Sequence, residues 1–262
     1  MIELVDQMNV TIRLEEIPKR IVSLVPSQTE LLYDFGLMNE VVGITKFCIH
    51  PKVWFENKTR IGGTKSLNIE LIKELKPDLI IGNKEENSEV DIIELRKYFP
   101  VYMSDIFTLT DAVEMIHDVG TITGKIELAE NYCGNIIQDF SVLQKLPCTV
   151  LYLIWSNPYM AVGSNTFIGN MMSQNGFTNC IQDKSARYLE LTDKEIANLN
   201  PDFIFLSSEP FPFNYKHKDE LSKITESKIE FVDGELFSWY GTRMLKMKEY
   251  FSTLQLRLKD NL

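Results

Sequence analysis

The chain is poor in the residues that usually announce chemistry. Its four cysteines, Cys48, Cys133, Cys148 and Cys180, are widely spaced and form no C-x-x-C pair. That excludes the common zinc and dithiol redox motifs. They read as reduced thiols, with Cys133 in the core. Only three histidines occur, His50, His117 and His217, and no H-E-x-x-H joins two of them. His50 falls in a loop at a strand end, but one histidine does not make a metal site, and none is assigned. G-x-S-x-G and a phosphate-cradling glycine loop are missing too, and the adjacent Gly62 and Gly63 lack the spacing of a nucleotide fingerprint. A protein that binds rather than catalyses is therefore expected. Basic residues number 27 against 37 acidic, a formal charge of −10, whereas a nucleic-acid partner needs a basic surface. No run of about 18 apolar residues exists to cross a membrane. The first residues include Glu3 and Asp6 and show neither the basic nor the apolar region of a secretory signal. The expectation is a cytoplasmic protein unless a leader was removed.

What is there fits a soluble α/β protein. The 262 residues are 44% hydrophobic and 24% charged, room for one large domain or two lobes. Short apolar runs at 20–26, 41–45, 79–82, 101–103, 149–154, 203–207 and 229–232 read as buried strands. They alternate with helical patterns, which argues for parallel sheets. Ser27 is read as an N-cap with Glu30 closing a capping box. Between the halves, apolar residues at Ile126, Ala129, Cys133, Ile136 or Ile137, Phe140 and Leu143 step by three and four, which predicts a helix over 126–146. At about 1.5 Å per residue it would run about 30 Å. Periodicity alone fits a strut between lobes or an ordinary surface helix.

A duplication favours the strut. Residues 68–81, NIELIKELKPDLII, and residues 192–205, TDKEIANLNPDFIF, each predict an N-cap, a short helix, Leu-x-Pro-Asp and a buried strand. The expected division is an N-terminal α/β lobe over 1–123, a bridging helix over 124–146 and a C-terminal α/β lobe over 147–262. Ligands of such sheets bind outside the carboxyl ends of the strands.

The segments RIVSLVPSQTELL at 20–32, VVGIT at 41–45, the Gly62-Gly63 loop and LKPDLI at 75–80 resemble the helical-backbone metal-receptor family, nearest its cobalamin-binding branch. These are the substrate-binding proteins of ABC importers for cobalamin, haem and iron siderophores. The resemblance runs in order from about Pro18 to the C-terminus. It implies two Rossmann-like lobes with parallel sheets, bridged by one long backbone helix, with a ligand cleft between them. It implies a metal-chelate ligand, cobalamin or another corrinoid first and haem or an iron siderophore second, with no cofactor of the protein's own. It also implies an ABC permease partner, a monomer and a periplasmic or cell-surface setting.

Carried over by position, the resemblance marks Pro26 and Phe47 as cleft residues. The branch has tryptophan where this chain has Thr64, so one stacking surface is replaced. Tyr188 fills a second tryptophan position. Trp239 and Tyr240 match the final aromatic loop, and Arg243 opens the last helix. Glu70 matches an acidic residue that docks onto the permease. Its counterpart position on the second lobe is Lys194, with Glu195 one residue later.

The residues themselves support part of this. Phe47, Trp155, Tyr159, Tyr188, Trp239 and Tyr240 fall in predicted strand-end loops, suited to a bulky planar ligand or equally to packing between loops. Ser27 stands beside Pro26 in that set. Arg243 can hold an anionic ligand group or a structural ion pair. Glu70 and Glu195 sit in first helical turns, which favour carboxylates anyway. A different expectation is a cytoplasmic ligand carrier or sensor that keeps the fold without transport.

Overall fold

Runs of β-branched residues bounded by turn formers become strands here, and the segments between them become helices. The computed structural model describes residues 1–183 and 186–262. The chain divides into two compact units. One holds Met1–Ile106, Thr110–Ile137 and Trp239–Leu245, the other Phe107–Leu109, Gln138–Ser238 and Lys246–Leu262.

The first unit carries a five-stranded sheet in the order Thr59–Arg60, Val41–Ile44, Ile21–Ser23, Leu79–Asn83 and Val101–Ser104, parallel throughout. Every residue of Ile21–Ser23 and Leu79–Asn83, two of the three inner strands, is buried, as unbroken apolar runs predict for parallel strands. In the second unit the long strand Cys148–Trp155 is central. Its first half pairs in parallel with Phe177–Asn179. One side pairs in parallel with Phe203–Ser207, which then pairs with Lys228–Val232. Its last residues turn back antiparallel onto Tyr159–Val162, which pairs with Tyr188–Leu191.

The duplicated segments fold alike. Asn68 and Thr192 cap the helices Ile69–Leu75 and Asp193–Leu199 with their side chains, and each helix leads through Pro-Asp into an inner strand. The central helix is Ile126–Ser141. Gly124, at φ +70, separates it from Leu109–Ile122, so the two are helices in series. They pack closely: a methyl group on Gly120 would overlap Ala129. Ile136 faces inward and Ile137 is 52% exposed. The helix ends at Ser141 rather than reaching Leu146, and so runs about 24 Å. The residue before Pro147 is biased away from helix, and the Leu146 amide donates to the Asn175 carbonyl at 2.8 Å instead.

Three further expectations are corrected. Ser27 and Glu30 form no capping box: the helix is Pro26–Asp34, its N-cap is Val25, and no side chain caps it. Proline suits the first helical position because its missing N–H has no partner there anyway. Trp155 and Tyr159 do not stand in a free loop but end the two strands of a hairpin, and Tyr188 opens a strand. The sequence reading also passed over the strand Ile2–Val5, paired with Thr11–Leu14, and the helix Lys52–Asn57.

Candidate functional site

At the carboxyl ends of the first unit's strands, a buried polar layer ties the loops together. Pro26 presets φ for the first helical turn and so delivers Ser27 and Gln28 over the sheet. The Gln28 amide donates to the Gly82 carbonyl at 3.1 Å and to Ser104 Oγ at 2.9 Å. Asn83 Nδ2 donates to Ser104 Oγ at 3.0 Å, and Asn87 Nδ2 to the Thr64 carbonyl at 3.2 Å. Thr64 is thus a buried residue of the frame. Thr29 Oγ1 lies 3.1 Å from Cys48 Sγ, as does Thr45 Oγ1. Burial pushes the Cys48 thiol up, so it stays protonated.

This frame presents Phe47. Held between Thr45 and Cys48, it is 50% exposed, with Lys46 Nζ 5.1 Å from its ring centre. The Gly62–Gly63 strand of a two-residue hairpin lies beneath it, and a Cβ at Gly63 would stand 3.3 Å from the ring. Gly62 has φ +105, a conformation that favours glycine.

The segment Trp239–Leu245 belongs to the same unit. Trp239 is buried, edge-on to His50 with ring centres 5.7 Å apart. Tyr240 is buried. Burial pushes its phenol well above the usual range, with Glu86 adding to the effect. Arg243 forms an ion pair with Glu30, so of the two readings open to it, the structure displays the ionic contact. Gly241 adopts φ +99 where a Cβ would come 3.3 Å from the Ser27 carbonyl.

In the second unit the carboxyl end of Cys148–Trp155 presents Trp155, 42% exposed, against Phe211 at 5.4 Å. Phe211 in turn meets Phe213 at 4.9 Å and His217 at 5.0 Å. His217 Nδ1 accepts the Asn214 amide proton at 3.1 Å, which places a neutral ring's proton on Nε2. Tyr159 leans onto the apolar core of this unit. It pairs with Leu191 while Tyr188 pairs with Val162, so the two tyrosines stand at opposite ends of the ladder, about 10 Å apart along the strands. The predicted set therefore separates. Pro26, Ser27, Phe47, Thr64, Trp239, Tyr240 and Arg243 gather on the first unit, Trp155 and Tyr159 adjoin on the second, and Tyr188 stands off.

Glu70 is 80% exposed and pairs with Lys73 at 3.0 Å. The Glu195 carboxylate accepts from the Thr192 amide at 2.8 Å and hydroxyl at 2.7 Å, a capping box that holds its pKa below the usual carboxylate range. Among the described residues no three metal-ligating side chains cluster, and no helix is long and apolar enough to cross a membrane. The sequence reading missed two contributors. Phe211 was visible as an aromatic in a strand-end loop. Glu30 was read as a capping residue, and nothing local marks its partner.

The sequence profile of the family described as periplasmic binding protein matches residues 21–228, and the chain belongs to that family. It is 25% identical over 257 residues to an uncharacterized ABC transporter substrate-binding lipoprotein of Bacillus subtilis, covering 92% of this chain and 81% of that one. It is 25% identical over 195 residues to a vitamin B12-binding protein of Vibrio cholerae, covering 72% and 70%. Its fold is similar to that of a periplasmic heme-binding protein from Roseiflexus, with a TM-score of 0.77 at 20% identity, covering 93% of this chain and 98% of that one.

Proposed function

We propose that this member of the periplasmic binding protein family is the substrate-binding component of an ABC importer. It acts by capture, not catalysis, and its ligand is a metal chelate: a corrinoid of the cobalamin class first, haem or a ferric siderophore second. The observation that carries the reading is the pair of exposed aromatic faces, Phe47 and Trp155, each at the carboxyl end of its own unit's sheet and each backed by a packed frame. Large rigid rings contact a planar ligand at low cost in conformational entropy. The similarity to a vitamin B12-binding protein and to an ABC transporter substrate-binding lipoprotein supports the ligand class and the transport setting. In this reading Pro26, Ser27, Tyr240 and Trp239 shape the ligand surface around Phe47. Glu70 serves permease docking on one unit, and Glu195 on the other while also capping its helix.

The test is calorimetric titration of the full chain with cyanocobalamin, haemin and a ferric siderophore. Saturable binding of one of them, weakened about tenfold by Trp155→Ala or Phe47→Ala, is expected from the loss of one aromatic contact. No saturable binding of any of the three would overturn the metal-chelate reading.

A further inference from the structure

Trp239 is held by a charge from a distant part of the sequence. Arg243 Nε donates to Glu30 Oε2 at 2.7 Å and an Nη to Oε1 at 2.9 Å, a two-pronged match of guanidinium and carboxylate. Both side chains are nearly buried, 10% and 11% exposed. The guanidinium carbon stands 4.5 Å from the Trp239 ring centre, and His50 meets the same ring edge-on. Glu30 lies in the helix Pro26–Asp34, which Gln28 ties to Gly82 and Thr29 ties to Ser23 Oγ at 2.7 Å, both on strands of the same sheet. The carboxylate is therefore a fixed point, and the planar guanidinium transmits its position to the indole. Replacing a buried ion pair whole is often neutral for stability, whereas removing one partner leaves the other charge uncompensated. Arginine fits the task because one plane can stack on a ring while its edge is gripped.

We infer that Glu30 is a positioning residue: acting through Arg243, it sets the orientation of Trp239 and thereby which metal chelates the aromatic surface accepts. The inference rests on the ligand class proposed above, and its physical half stands apart from it. Without the carboxylate the guanidinium loses its two-pronged anchor, and the indole loses a fixed plane stacked against it. Glu30→Gln keeps the shape and removes the charge. Arg243→Lys keeps the charge and removes the plane.

The experiment uses the full chain labelled with fluorotryptophan, whose three tryptophans, Trp54, Trp155 and Trp239, give three fluorine resonances, with Trp239 assigned by Trp239→Phe. The expected result is that Glu30→Gln and Arg243→Lys each shift or broaden the Trp239 resonance and leave Trp54 unmoved, while Glu30→Asp largely restores it. A Trp239 resonance unchanged in both variants overturns the inference, and so does a Trp54 resonance that moves with it, because the effect is then on the fold. Titration with haemin and cyanocobalamin tests the consequence. Glu30→Gln should change the ratio of the two affinities about tenfold, with no further change when Trp239→Phe is added. Independent, multiplying losses would overturn the role in selectivity. If the unsubstituted protein binds neither chelate, the proposed ligand class fails, and the fluorine spectra alone decide the positioning role.

Discussion

In the first unit, residues 68–81 run from a capping Asn68 through a helix to Lys76, Pro77 and Asp78. In the second, residues 192–205 run from a capping Thr192 to Asn200, Pro201 and Asp202. Asp78 accepts the amides of Lys19 and Arg20 at 2.8 and 2.9 Å, at the entry to the neighbouring strand. Asp202 accepts the amide and hydroxyl of Thr149 at 2.7 and 2.8 Å in the equivalent place. Lys76 and Asn200 both take the left-handed conformation, at φ 45 and φ 41. The cores differ where the local devices do not. The first sheet's inner strands bury Val22, Leu79, Ile80 and Ile81, whereas the second buries Tyr152, Phe203 and Phe205 among Phe177 and Phe237. Backbone entry and exit are thus set by a few residues adjacent in sequence, and the filling between sheet and helices is free to vary.

That contrast has measurable edges. Phe205 and Ile81 occupy matching positions and are both fully buried. Phe205→Ala should destabilise the chain by about 4 kcal/mol and Ile81→Ala by about 3 kcal/mol, because the larger ring leaves the larger cavity. Urea midpoints measure both, and a reversed order would mean that the aromatic core collapses around its vacancy. Next in size is the Pro-Asp carboxylate. Asp202→Ala should cost about 2 kcal/mol for two charge-assisted hydrogen bonds. The Thr149 amide, and after it the Thr149 hydroxyl, hold the Asp202 carboxyl below the usual carboxylate range. A depressed folded-state pKa contributes stability that is present above the unfolded value, near about 3.9. That contribution is lost as pH falls through the folded pKa. The gap between the original chain and Asp202→Ala should therefore close as unfolding is repeated at progressively lower pH below about 4. A gap constant with pH would assign the effect to packing.

The parts legible in the sequence are those whose cause lies within a few residues. Asn68 and Thr192 stand directly before their helices, Pro-Asp directly after, and both strands follow as continuous apolar runs, so element type and order came out as expected. The helix Ile126–Ser141 was readable by period, but its end was not, because the Leu146 amide is drawn away by Asn175, whose approach depends on tertiary packing. The hairpin joining Cys148–Trp155 to Tyr159–Val162 was hidden because its register slips between Leu153 and Trp155, which breaks the period of two. The candidate site shows the same division. Phe47 and Trp155 were visible as large rings at strand ends. Glu30 was visible only as a first-turn carboxylate, since its partner Arg243 lies 213 residues on and no periodicity reaches that far.

The smallest expected effect separates the two modules most finely. Their helices end in the same left-handed conformation, yet one uses lysine and the other asparagine. A side chain with an ordinary Cβ costs roughly 1–2 kcal/mol in that region, while asparagine, whose short amide can bond locally, visits it more readily. Glycine removes the cost but enlarges the unfolded ensemble by roughly 0.4–1 kcal/mol. Lys76→Gly should therefore stabilise the chain by about 0.5 kcal/mol, and Asn200→Gly should leave it within about 0.3 kcal/mol of the original, the difference between the two offsets. Thermal unfolding of the two variants side by side measures the difference. Equal shifts would mean that the duplicated turns are equally strained and that the choice of residue reflects the solvent-facing side chain alone. A larger gain at Lys76 would show that the first unit carries a strain at its helix end that the second has relieved by a single substitution.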